Sequence, residues 1–131
     1  MKLPEITPEQ TIDIANKMIQ HVLKQGFKCV GEGGYCLYRG VDGASCAVGS
    51  QIKDEFYTHY IEDTGINERG GANNSLALSI SASLNNYSVN LFTGIQEAHD
   101  NANSGDFNQS FINSLPNDDG LIKELIGESD G

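Results

Sequence analysis

The sequence predicts an α+β fold that is predominantly helical, a single domain with a small two-stranded β-hairpin set among its helices. Three observations carry that expectation. Apolar residues recur at helical spacing near the start of the chain and again in its later half. The dipeptide Asp42-Gly43 supplies a tight turn between two short stretches of strand character. No repeat or linker divides the 131 residues, a length at which one core suffices and folding buries roughly 68% of the surface an unfolded chain exposes.

The first helix begins at Thr7-Pro8-Glu9-Gln10, which combines a capping Thr, a Pro at the first helical position and a Gln that completes the capping box. Ile12, Ala15, Met18, Ile19, Val22 and Leu23 then form one apolar face, and Gly26 is a natural stop. Gly31 to Gly34 read as a turn, too short and too acidic to cradle a phosphate. Tyr35 to Arg39 alternate like a short strand, and Ala44 to Ala47 return as the second strand of the hairpin. From Cys46 the chain enters the core, and Lys53 to Tyr57 start an amphipathic, helical stretch.

Gly65 to Asn74, rich in Gly and Asn, read as a mobile loop. Leu76 to Leu84 fit both an alternating strand and a helix, and helix is the slightly better fit. Leu91, Phe92, Ile95, Ala98 and His99 make a clearer helical face that Asn103-Ser104-Gly105 ends. The core is thus expected over 7–102, followed by a polar loop over 103–120, a short helix over 121–127 and an acidic tail. Asp100 to Phe111 partly resemble a calcium loop, but Ala102 and Phe111 stand at the third and twelfth places where ligands belong.

Eight Lys and Arg stand against eighteen Asp and Glu, for a net charge of −10. A field of that sign repels phosphate backbones and anionic membranes, so neither nucleic acid nor membrane is expected as a direct partner. From Glu97 onward eight acidic residues face a single Lys123. Docking onto a protein with a basic surface is one reading of this field, and plain solvation is the other. The candidate binding residues are Arg39, Asp42, Glu97, Asp100, Asp106, Asp118 and Asp119.

The opening Met1-Lys2-Leu3-Pro4-Glu5 lacks a signal peptide's apolar stretch, so the expected compartment is the cytoplasm. Cys29, Cys36 and Cys46 are odd in number and are expected as reduced thiols. Their spacings include no close pair of the kind a metal site uses, so neither a metal nor any other cofactor is expected. The enzymatic alternative is a thiol-dependent hydrolase or transferase with Cys46 as nucleophile and His99 as base. Against it, Cys46 sits beside Ala47 and Val48 like a buried core thiol, and adjacency on a helix is expected to point His99 and Asp100 apart. Arg39, next to a tight turn, is expected to hold an internal carboxylate such as Asp42 or Asp54, or else to touch a partner. Exposed aromatics such as Phe56, Tyr57 and Tyr60 would serve a homo-oligomer contact.

The stretch Tyr38-Arg39-Gly40-Val41-Asp42-Gly43-Ala44-Ser45-Cys46-Ala47-Val48-Gly49, then Ile52-Lys53-Asp54-Glu55 and later His99-Asp100, resembles a family of small uncharacterised bacterial and phage proteins. Their pattern runs "YRGPDG", a basic residue, "CAVG", a variable residue, "LIPDE", and then a helix ending in "HD". The resemblance covers about 14–100 and implies a phage or prophage setting without an activity. Val41 and Lys53 replace the usual prolines and Ser45 replaces the basic residue, so a contact that depends on that basic position is absent here. Together, charge and resemblance lead to an expectation of a small acidic accessory protein that binds a protein partner, as an inhibitor of a host-defence or nucleic-acid-binding protein.

Overall fold

The computed structural model describes residues 2–31, 37–40, 43–118 and 120–122. Four α-helices carry the fold: α1 (Pro8–Gln25), α2 (Gly71–Ile80), α3 (Asn86–Asn101) and α4 (Phe107–Asn113). Among the described residues, three 3-10 turns, Gly49–Gln51, Asp54–Phe56 and His59–Asp63, cross between α1 and α2. The helix α1 packs on α3, α4 closes against α3, and α2 lies against the three 3-10 turns.

Local sequence accounts for the ends of α1. The Thr7 hydroxyl accepts the Gln10 N–H at 3.1 Å and the Gln10 side chain accepts the Thr7 N–H at 2.9 Å, so, Pro8 having no N–H, two of the three orphan amides of the first turn are satisfied. At the other end Gly26 takes φ +78 and donates its N–H to the Val22 carbonyl, a left-handed cap that suits a residue without Cβ. Between them Ile14, Ala15, Met18, Ile19 and Val22 are buried.

The α+β expectation is overturned: no β-strand occurs among the described residues. Where the hairpin was expected there is one antiparallel bridge, Arg39 with Ser45. Gly40 donates to the Ala44 carbonyl at 2.9 Å and Cys46 to that of Tyr38 at 3.1 Å, and the pairing ends there. Extending the ladder would need the Tyr38 amide to bond the Cys46 carbonyl, but Tyr38 donates to the Glu62 carboxylate at 2.7 Å and the Cys46 carbonyl accepts the Ser50 N–H instead. After Ser45 the chain turns inward, and Cys46, Ala47, Val48 and Gly49 are all buried. Tyr35, Cys36 and the Asp42 of the expected turn lie outside the described residues.

Other expectations shift as well. Lys53 to Tyr57 form a 3-10 turn rather than an α-helix. The helix expected over part of Leu76 to Leu84 begins earlier, inside the Gly- and Asn-rich segment expected as a loop. Its start is fastened by Thr64, whose hydroxyl accepts the Ala72 N–H at 2.9 Å. The helix stops at Ser81, so Leu84 lies in the connection to α3. There Ile6 donates to the Ser83 carbonyl and Ser83 to that of Pro4, a single parallel bridge between Glu5 and Ser83. The polar loop expected over 103–120 contains α4, whose Phe107, Phe111 and Ile112 are buried in the core. Leu121 and Ile122 dock on α1 through Asn16, which accepts the Ile122 N–H at 3.1 Å and donates to the Gly120 carbonyl at 3.0 Å. The rest of the expected C-terminal helix lies outside the described residues. No helix among the described residues is long and apolar enough to cross a membrane.

Candidate functional site

The residues of the family-like stretch are organised by a carboxylate that sequence reasoning missed. Besides the Tyr38 and Arg39 amides, Glu62 accepts a short hydrogen bond from the Tyr57 hydroxyl. Burial, together with that bond, pushes the Tyr57 phenol up to about 12. The Arg39 guanidinium meets Asp54 at 2.8 Å, donates to the Ile52 carbonyl at 2.8 Å, and lies 4.5 Å above the Tyr57 ring. Of the two carboxylates expected for Arg39, Asp54 is therefore its partner; Asp42 lies outside the described residues. The arrangement uses the guanidinium as a planar fork and as a cation over an aromatic face, both of which a lysine would supply less well.

Behind this layer lies a buried polar network. His99 is fully buried, at 0% exposure. Its Nε2 accepts the Cys29 N–H at 3.0 Å, and its Nδ1 lies 2.9 Å from Asp100 Oδ1. The expected divergence of His99 and Asp100 is corrected here: Nδ1 is the ring nitrogen nearer the backbone and stays within reach of the next side chain. The Gln96 amide donates to the same Asp100 oxygen at 2.8 Å and accepts the Val48 N–H at 2.9 Å. The Cys46 sulfur, also at 0% exposure, accepts the Gly49 N–H at 3.2 Å.

This geometry holds Cys46 as a neutral thiol. Burial pushes its pKa well up, and hydrogen bonds from Gly49 and Gln96 offset the shift only in part. The turn that follows is a three-residue 3-10 segment without the dipole of a full helix. Both nitrogens of His99 are engaged, so no lone pair remains to take a proton from Cys46. The second described thiol, Cys29, is buried too, and its pKa is pushed up to about 11 by burial and by the nearby charge of Glu62.

On the surface side of the network a cleft of about 240 Å³ is lined by Leu37, Tyr38, Glu62, Asp63, Thr64, Gln96 and Asp100. A second, of about 210 Å³, shares Tyr38, Gln96 and Asp100 and adds Glu97, Thr93 and Asn67. Among the described residues no Lys or Arg lines either. A larger groove of about 470 Å³ between α1, α2 and the first 3-10 turn has mixed charge, with Lys17 paired to Asp13 at 3.2 Å.

Of the candidate acidic residues, the structure brings Glu97 and Asp100 to the adjoining clefts. Asp106 is exposed just before α4, and Asp118 accepts the Tyr87 hydroxyl at 2.9 Å. Asp119 lies outside the described residues. Among the described residues no group of three His, Cys, Asp or Glu gathers where it could hold a metal ion. Of the aromatics considered for self-association, Tyr57 is engaged by Glu62 and Arg39 and Phe56 packs against the core, while Tyr60 is 77% exposed. Sequence reasoning missed Glu62 because the two backbone amides it accepts lie 23 and 24 residues earlier, and the Tyr57 hydroxyl five residues earlier has no regular spacing that would mark the pair. Gln96 was equally silent in sequence, because its partner Val48 comes from 48 residues away.

Comparison with protein-family models, curated proteins and solved structures finds no match to this chain.

Proposed function

We propose that the protein acts by binding a protein partner with a basic surface, through the adjoining clefts around Tyr38, Gln96 and Asp100. The observation that carries this reading is the lining: Glu62, Asp63, Glu97 and Asp100 are present, and among the described residues no Lys or Arg lines the clefts with them. A Lys or Arg side chain is the complementary occupant, and steering by the −10 net charge would speed its arrival. The resemblance of the Tyr38 to Glu55 stretch to small uncharacterised bacterial and phage proteins supports reading this as an accessory role, and an inhibitor that covers a basic nucleic-acid-binding face is the form this proposal takes.

Capture from host lysate tests it, with Asp63→Asn/Glu97→Gln as the variant and Glu9→Gln/Glu55→Gln as a control of equal charge loss. All four side chains are exposed. The expected result is a stoichiometric protein partner, lost at high salt, whose affinity falls about tenfold or more in the cleft variant, equivalent to ~1.4 kcal/mol, and much less in the control. Equal losses in the two variants would reduce the effect to net charge and sink the cleft as the site.

A further inference from the structure

We propose that His99 is a proton-operated clasp: the neutral ring ties the two walls of the acidic cleft together, and acidification releases one of them. The consequence for a partner rests on the docking role proposed above, whereas the clasp itself does not.

The tautomer follows from the partners. A backbone amide can only donate, so the Nε2 that faces the Cys29 N–H at 3.0 Å carries no proton. The proton of the neutral ring is then on Nδ1, which donates it to Asp100 at 2.9 Å. Asp100 lines one side of the cleft. Cys29 leads to the other, because its carbonyl accepts the Leu37 N–H at 3.0 Å, and Leu37 and Tyr38 are cleft residues. One buried imidazole therefore holds both walls, across a sequence separation of 70 residues.

A second proton has only Nε2 to go to. There it turns an acceptor into a donor that faces another donor, and the Cys29 amide loses its partner inside the core. The groups that face the ring come from each element packed around it. Asp100 faces it from α3, and Glu62 lies behind Cys29. The thiols of Cys29 and Cys46 stay protonated in this range. From α4 comes the edge of the Phe107 ring, centred 6.0 Å away. The buried face of α1 is apolar at Met18, Ile19 and Val22, and His21 turns instead to the Ser45 carbonyl. Asp100 stabilises the imidazolium but cannot replace the acceptor that Cys29 loses. The wall carrying Leu37 and Tyr38 is thereby loosened, while α3 keeps Asp100 in place.

Amide hydrogen exchange on the intact 15N-labelled chain reads this directly, with the His99 ring signal followed in the same samples from about pH 8 to about pH 5. After correction for intrinsic rates, protection at Cys29 should fall at least about tenfold in step with the ring's titration, while Met18 in α1 stays protected. In His99→Gln the side-chain carbonyl can still accept the Cys29 N–H and does not titrate, so protection at Cys29 should become independent of pH. Unchanged protection at Cys29 across the ring's titration, or the same acid loss in His99→Gln, overturns the clasp. If His99→Gln does not fold, Asp100→Asn serves: ring titration and loss of protection at Cys29 should move together to lower pH, and separation of the two overturns the proposal. No partner enters this experiment, so failure of the docking role and failure of the clasp are distinct results.

Discussion

A Cβ built on Gly49 would lie 2.0 Å from the carbonyl oxygen of Tyr38. The glycine of the Cys46-Ala47-Val48-Gly49 run is therefore there to let two backbone segments touch, and Gly49→Ala is expected to cost about 3 kcal/mol or more, read from urea unfolding. Glu62 is the second residue on which the layout hinges. Glu62→Ala leaves the Tyr38 and Arg39 amides and the Tyr57 hydroxyl without their acceptor, and should destabilise by about 2–4 kcal/mol in the same assay. Glu62→Gln, which keeps one acceptor, should lose less. The thiols supply a chemical test, since neither Cys29 nor Cys46 should react with iodoacetamide in the folded protein near neutral pH, and both should react in denaturant. The sign of the alkaline effect follows from the same burial. The folded Cys29 holds its proton up to about 11 against an ordinary 9.0, so stability present below pH 9 is lost as pH rises toward 11. The urea midpoint should fall over that window, and an alkaline midpoint that stays flat would contradict the burial of these thiols.

Helix α1 shows what neighbouring residues can specify without outside help. Its cap, first-turn proline and terminal glycine each act on partners within four residues and are found where their spacing predicts. Of the expected apolar face Ala15, Met18, Ile19 and Val22 are buried, Ile12 and Leu23 are partly buried, and Ile14 joins them. Thr7→Ala removes half of the capping box and should cost about 1 kcal/mol. The hidden element is α4. Phe107, Phe111 and Ile112 stand among Asn, Gln and Ser, and seven residues give too little periodicity to be distinguished from a polar loop. Its place in the core makes Phe111→Ala a test, because removing a fully buried ring should cost about 3–5 kcal/mol, whereas an exposed loop residue would cost little. The hairpin failed for the opposite reason. Strand propensity and a turn dipeptide were both present, but the Tyr38 amide that the second strand would have bonded is taken by Glu62, and the Cys46 carbonyl opposite it by Ser50. Tertiary context overrode a local preference worth at most about 1 kcal/mol.

Across the whole molecule the dominant electrostatic fact is self-repulsion. With a net charge of −10 and, among the described residues, two Lys or Arg ion pairs with carboxylates, Lys17 with Asp13 and Arg39 with Asp54, added salt should screen more repulsion than attraction. The thermal midpoint should accordingly rise by a few degrees with ionic strength, as calorimetry can check. Charge, size, the lack of a repeat and the course of α1 were legible in the residues, because each is additive or local. The neighbourhood of the candidate site was not: Arg39, His99 and Asp100 were singled out, but the carboxylate that positions Tyr38 comes from 24 residues away, and the Cys29 amide that His99 holds from 70 residues away in the chain. Hydrogen bonds of that range depend on how α3 and the 3-10 turns pack, and packing is a property of the assembled core. Composition thus announced an acidic protein, and the folding of α3 against the 28–40 region decided which of its carboxylates face an open cleft and which are tied down as structure.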